Sequence, residues 1–436
     1  MFHMQKKHTG KRWTRRCLSA VLSAALLLSA APVSAVLAAE RTGNDYYVSN
    51  QGDLLAESFE TLPLGAVQPS GWLRDQLELQ RDGITGAMEE YETYGSNSGW
   101  LGGTGDSWEK GPYYVRGLVA LAYTLDDDEL KQKAQKWIDW SLESQREDGY
   151  FGPENNADWW ARMPMLMAIR DYYEATELEG NPDERVLPFF EKYFAYQLEQ
   201  LPGNPLDAAW GSARGGDNME VLYWYYNKTY DPANPEASDW LLDLATLIAS
   251  QCKMGGQSIT DALTNTTVRQ HVVNTSQSLK QPVLYYQQTG DIEDKNAFAN
   301  ALLNISIDHG RIDDMPNADE GARDNNPTRG TETCSIVESM LSTEIAARIL
   351  GDAALGDRLE VLAYNSLPAA YAPDYLGNAY YVPQNQVMAT AGRHEFEQDH
   401  GDDTAFGAPS GYECCFPNNH MGWPKFVQSM WMATPD

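Results

Sequence analysis

The chain is short of basic residues. Its 436 residues include 32 Lys and Arg against 62 Asp and Glu, a formal charge of −30 with the seven histidines neutral. So acidic a body repels phosphate backbones and anionic membranes, which argues against nucleic acid as a partner and leaves a neutral one such as a sugar. Cysteine is scarce, with five in all, of which Cys17 falls in the N-terminal segment. After that segment no apolar run approaches the roughly 20 residues that cross a bilayer. Also missing are a Gly-x-Gly-x-x-Gly fingerprint, a phosphate-binding P-loop, a Ser nucleophile elbow and a His-Glu-x-x-His helix, which removes the commonest enzyme classes.

The N-terminus carries Lys6, Lys7, Lys11, Arg12, Arg15 and Arg16, then an apolar run from Leu18 to Ala31, then small residues at Val33-Ser34-Ala35 and Leu37-Ala38-Ala39. This order is that of an export signal. Residues 1–39 are expected to be removed, leaving 40–436 as a secreted or cell-envelope protein with no membrane attachment. A permanent anchor is the weaker reading, because the run is short and diluted by serine. Thr14-Arg15-Arg16-Cys17-Leu18 partly matches a twin-arginine signal, so the export route stays open. Exported proteins usually pair their cysteines, but adjacent Cys414 and Cys415 make poor partners for each other. Metal ligation explains Cys334, Cys414 and Cys415 better.

From about Pro112 to Trp431 the apolar residues recur at helical spacing, as in Leu130, Ala134, Trp137 and Ile138. Further helices are expected over 186–200, 217–228, 238–252, 271–288, 294–308, 333–350, 355–366 and 419–432. No strand–helix alternation appears. Many helices joined by loops rich in Gly, Trp and Tyr predict an all-α fold, an α/α barrel or toroid with a pocket at one end, against an irregular helical bundle. Residues 371–415 read as a long polar insertion with an extended stretch at 379–387, and Gln384 within it is a candidate substrate contact.

Glu332-Thr333-Cys334 and Glu413-Cys414-Cys415 offer three thiolates and a carboxylate, the donor type and number of a tetrahedral Zn²⁺ site. The bland alternative is a closed, stabilising zinc site. Asp319-Glu320, in a loop, presents a carboxylic acid that is a candidate general acid or else a solvated carboxylate. His271, Asn274 and Gln277 are placed to meet sugar hydroxyls or to cap a helix. Trp108, Asp158-Trp159-Trp160 and Trp210 offer aromatic faces for a sugar ring, or core packing.

Gly105-Asp106-Ser107-Trp108-Glu109, Ser144-Gln145-Arg146-Glu147-Asp148-Gly149-Tyr150-Phe151-Gly152-Pro153, His271-Val272-Val273-Asn274, Gly330-Thr331-Glu332-Thr333-Cys334 and Glu413-Cys414-Cys415-Phe416-Pro417-Asn418 together resemble glycoside hydrolase families 127 and 146, the β-L-arabinofuranosidase group. The resemblance runs from about residue 60 to the C-terminus. It implies an (α/α)6 barrel over 40–436, zinc held by Glu332, Cys334, Cys414 and Cys415, Cys414 as nucleophile, Glu320 as acid/base and His271 as a substrate contact. Members of the group continue into β-sandwich domains, which this chain lacks, so a fragment is expected. The implied activity is retaining, exo-acting release of L-arabinofuranose or a related sugar from plant polysaccharide or glycoprotein side chains. The competing readings are a lyase or hydrolase on acidic sugars, and a carbohydrate-binding protein with structural zinc. Oligomeric state is left open.

Overall fold

The computed structural model describes residues 47, 49–91, 95–207, 209–265, 271–408 and 410–435. The expected export segment, 1–39, lies outside them. Among the described residues, thirteen α-helices of seven residues or more build the body: α1 (Trp72–Gln80), α2 (Lys110–Leu125), α3 (Asp128–Glu143), α4 (Arg162–Leu178), α5 (Val186–Gln200), α6 (Gly211–Thr229), α7 (Asp239–Gln251), α8 (Val272–Ser278), α9 (Lys280–Thr289), α10 (Ile292–Asp308), α11 (Thr333–Leu350), α12 (Ala353–Val361) and α13 (Gly422–Ser429).

Burial sorts them into two rings. In α2 every residue after Lys110 is buried, whereas α3 buries one stripe, Leu130, Ala134, Trp137, Ile138, Ser141 and Leu142, and leaves the rest to solvent. A helix apolar all round needs neighbours on every side; a striped one needs them on one. The inner ring is α2, α4, α6, the collinear pair α8–α9, α11 and α13. Each packs on the next, and α13 returns to α2 to close the ring. Helices α1, α3, α5, α7, α10 and α12 form the outer layer, alternating with the inner ones along the chain. The architecture is the expected all-α toroid. Among the described residues, strands are only two residues long, and one pair, Glu60–Thr61 with Met432–Ala433, ties the two ends of the body together.

The axis of the ring holds charge. Arg116 donates to Glu338 at 2.6 Å and to Asn418 at 2.8 Å, and Lys280 meets Asp217 at 2.6 Å, all buried. Such charges persist in an interior only when paired.

Candidate active site

Inner helices α2, α6, α8 and α11 begin at one mouth of the toroid, with Glu109, Arg214, His271 and Glu332 at or near their first residues. Cys414 and Cys415 stand at the start of the short helix Cys415–Asn418 that leads into α13. Helix N-termini carry unpaired N–H groups and the positive end of the dipole, so this mouth favours anions. The Cys334 N–H in the first turn of α11 donates to Cys415 Sγ at 3.2 Å.

The four expected metal donors converge. Cys414 Sγ is 3.5 Å from Cys334 Sγ, 3.9 Å from Cys415 Sγ and 3.4 Å from Glu332 Oε1, which lies 3.8 Å from Cys415 Sγ. Metal–sulfur bonds of about 2.3 Å and metal–oxygen bonds of about 2.1 Å make tetrahedron edges of about 3.6–3.8 Å. The cluster has that size. Its charges point the same way: burial, then Glu320 and Cys414, push the Glu332 carboxyl well above the usual carboxylate range. Hydrogen bonding to Cys334 pushes the Cys414 thiol up, and burial does the same to Cys415. With all four ionised, the cluster would need a divalent cation to balance it. Of the three thiols Cys414 is the most accessible, at 8% against 1% for Cys334 and none for Cys415.

A pocket of about 600 Å³ opens over the cluster, lined among others by Trp108, Trp210, His271, Glu320, Tyr380 and Cys414. Glu320 sits at the tip of a hairpin, Ala318–Asp319 against Gly321–Ala322, in the left-handed conformation at φ 79°. A non-glycine residue is held there only when its surroundings fix it. Here its carbonyl accepts from Val272 N–H at 2.7 Å. Its carboxylate accepts from Tyr380 Oη at 2.5 Å and Tyr381 Oη at 2.9 Å, and lies 3.2 Å from His271 Nε2. Burial alone would raise this carboxyl, but His271 and the two tyrosines outweigh it and hold it below its ordinary value. His271 Nε2 is also 3.6 Å from Glu332 Oε2.

The other candidates divide. His271 caps α8, its Nδ1 accepting from Asn274 N–H at 3.4 Å, and it also lines the pocket. Trp108 lines the pocket and donates to Asp158 at 2.5 Å, so Asp158 fixes the indole rather than lining the cavity. Asn274 accepts from Arg214 Nε at 2.8 Å and holds that side chain. Trp159 is not brought to the pocket; it donates to Asn204 O at 2.9 Å and leans on Tyr196. Gln277 turns inward to Asp217 at 3.2 Å. Gln384 lines a separate groove with Ile312, Val387 and Met388.

Arg214, Glu109, Tyr113, Tyr380, Tyr381 and Tyr412 escaped the sequence reading as site residues. Arg214 lies between the rings of Trp160 and Trp210, 4.4 and 4.8 Å from their centroids, and its charge is met by Glu109 at 3.1 Å. The paired tyrosines stood in the extended stretch 379–387, where the polar insertion itself was the signal.

Fold and donor set define a toroid of paired helices with a thiol-rich cluster at one mouth that could hold a metal ion. Residues 34–428 match the family described as Beta-L-arabinofuranosidase, GH127 catalytic domain, and the chain belongs to that family. Among solved structures it is similar to a glycoside hydrolase (TM-score 0.62, 14% identity, covering 89% of this chain and 64% of that one). It is similar also to a GH127 β-L-arabinofuranosidase from Geobacillus stearothermophilus T6 (0.60, 14%, 83% and 64%) and to a GH127 β-arabinofuranosidase (0.62, 17%, 90% and 63%). At these identities the likeness is one of fold, and the chain spans less than two thirds of the length of each. No curated protein matches.

Proposed function

We propose that the protein is a retaining, exo-acting glycoside hydrolase that releases terminal β-linked L-arabinofuranose, or a closely related sugar, from plant polysaccharide or glycoprotein side chains. The observation that carries this reading is the meeting, in one pocket, of an accessible sulfur within a Cys3Glu cluster and a carboxylate held by three donors. Zn²⁺, held by Glu332, Cys334, Cys414 and Cys415, supplies the positive charge that keeps the Cys414 sulfur a thiolate near neutral pH.

In the first half of the reaction Cys414 Sγ attacks the anomeric carbon. The C1–S bond forms as the C1–O bond to the leaving group breaks, and Glu320 gives its proton to the departing oxygen. In the second, Glu320 takes a proton from water, whose oxygen replaces sulfur at C1. Two inversions give net retention. The low carboxyl pKa of Glu320 suits its work as base in the second half and opposes its work as acid in the first. Trp108 and Trp210 offer apolar faces to a sugar ring.

A carboxylate-bearing sugar fits poorly, since Glu109, Glu320 and Glu332 all border the pocket and the Arg214 charge is already met by Glu109. That weighs against a lyase or hydrolase acting on acidic sugars.

The test is zinc-loaded protein with p-nitrophenyl β-L-arabinofuranoside, a panel of other p-nitrophenyl sugars and a Cys414→Ser control. Nitrophenol released from the arabinofuranoside by the parent and not by the variant is the expected result. Equal release by both overturns the role of Cys414, and silence across the panel in folded, zinc-loaded protein overturns the substrate assignment.

A further inference from the structure

Glu332 uses one oxygen toward the thiols. Its other, Oε2, is fully buried and makes no hydrogen bond. His271 Nε2 lies 3.6 Å from it, and Glu320 Oε2 lies 3.2 Å from that nitrogen. These three donors, one nitrogen and two carboxylate oxygens, all fall within 4.8 Å of one another. Zinc–nitrogen and zinc–oxygen bonds of about 2.1 Å give tetrahedron edges of about 3.4 Å, which the two measured separations bracket.

Resting on the reading of the Cys3Glu cluster as a zinc centre, we propose that the same mouth holds a second, weaker divalent-cation site formed by His271, Glu320 and the free oxygen of Glu332, and that filling it switches the enzyme off. Glu332 then bridges two ions, an arrangement known in two-metal sites with ions about 3.5–4 Å apart. Electrostatics permits the pair. Three thiolates and a carboxylate leave the first centre negative after one divalent ion is bound, and Glu320 adds a further negative charge.

The site is also built to be weaker. It offers three ligands rather than four and no thiolate. The ion displaces the proton of His271 Nε2, and a neutral ring then carries its proton on Nδ1, at the expense of the long 3.4 Å contact from Asn274 N–H. An ion there occupies Glu320 Oε2, the carboxylate oxygen not already bound by Tyr380 and Tyr381, and so blocks its proton transfer. Zinc is therefore required at one equivalent and inhibitory in excess.

The experiment is calorimetric titration of ZnCl2 into the metal-free full chain, repeated with Glu320→Gln and His271→Ala, beside turnover of p-nitrophenyl β-L-arabinofuranoside by the parent as zinc is raised. The parent should bind two ions, the second at least about 100-fold more weakly, with activity falling at least tenfold as the second binds. Each variant should retain the first ion and lose the second. One ion and no more, up to millimolar zinc, overturns this inference alone, as does a weak ion retained unchanged by both variants, which marks surface zinc. A parent that binds no ion tightly overturns the zinc reading of the thiol cluster and this inference with it.

Discussion

The two mouths of the toroid solve the problem of buried charge in opposite ways. At the catalytic mouth the inner helices begin, and sulfur and carboxylate donors crowd together with few cations among them. Toward the other mouth, midway along α4 and α6, in α13 and in the last turn of α11, acids and bases interleave. Glu220 accepts from both Arg348 and Arg170, Arg348 also reaches Glu57 at 3.0 Å, and Asp171 lies between Arg170 and Lys425. The dipole favours anions at helix starts, as at the catalytic mouth, and a cation in a last turn, as with Arg348 in α11. The paired mouth balances its own charges. The thiol mouth would take its balance from the proposed zinc ion.

The largest effect should come from the sulfur at the incomplete mouth. Cys414→Ser exchanges a thiolate for a hydroxyl of much higher pKa, and turnover should fall by at least about 10³-fold, with the other three donors still binding zinc. Kinetics and metal content measured on the same sample check this. Full activity would mean that the accessible thiol is only a ligand. Next comes the ion itself. Chelation should remove the proposed cation, which Glu332, Cys414 and Cys415, all pushed up in pKa, would need in order to ionise together, and at free zinc a thousandfold above its dissociation constant the linkage is about 4 kcal/mol. Melting with and without chelator reads it.

How much of this contrast was legible beforehand differs between the mouths. Metal donors announce themselves by chemistry, so Glu332, Cys334, Cys414 and Cys415 were readable without a structure. So were the helices whose apolar residues keep a 3.6 period, such as α5 and α11. The start of α6 was missed because Gly211, Gly215 and Gly216 look like a loop. Close packing inside the helix, not a loop, calls for glycine there: a Cβ at Gly215 would stand 2.4 Å from Cys252 Sγ. That same disguise hid Arg214. Tyr380 and Tyr381 reach Glu320 across some sixty residues of sequence, a contact that no local pattern encodes. Gln384 follows them in the same extended stretch but beyond Pro383 faces the outer groove, its side chain toward Ile312 N–H at 3.5 Å. The paired mouth left no mark at all, since interleaved Arg, Lys, Asp and Glu on helices look like ordinary surface.

Breaking the self-sufficient mouth should cost stability and leave the chemistry alone. Burial would raise the Glu220 carboxyl, but Arg348 and Arg170 pull it down to about 2. A folded value below the unfolded one means stability that is present above about pH 4.5 and is lost as pH falls toward 2. Glu220→Gln leaves two buried guanidiniums short of a partner and should cost about 3 kcal/mol at pH 7. The loss should be the same with and without chelator, because distant sites add. A loss that depends on zinc would show that the two mouths communicate through the charged axis of Arg116, Glu338, Lys280 and Asp217.

Glu344 is the exception at the paired mouth, and the smallest effect should come from it. Its Oε1 is buried without a hydrogen bond, and burial, only partly offset by Lys425 and Ser429, pushes its carboxyl up to about 7. The sign is opposite to that of Glu220. Between about pH 4.5 and 7 the folded chain holds a proton that the unfolded chain has lost, so stability declines as pH rises through this range. The decline is at most about 3 kcal/mol, complete near pH 8. Glu344→Gln keeps the shape and removes the ionisation. It should match the parent in urea at pH 5 and exceed it at pH 8, by up to that amount, with both proteins zinc-loaded so that the thiol mouth is constant. Glu220 is ionised throughout this interval and adds no slope of its own. A variant whose advantage is the same at both pH values would place the gain in packing rather than charge. Equality at both would mean that the Lys425 charge already suffices for Glu344, and that the paired mouth has no exception.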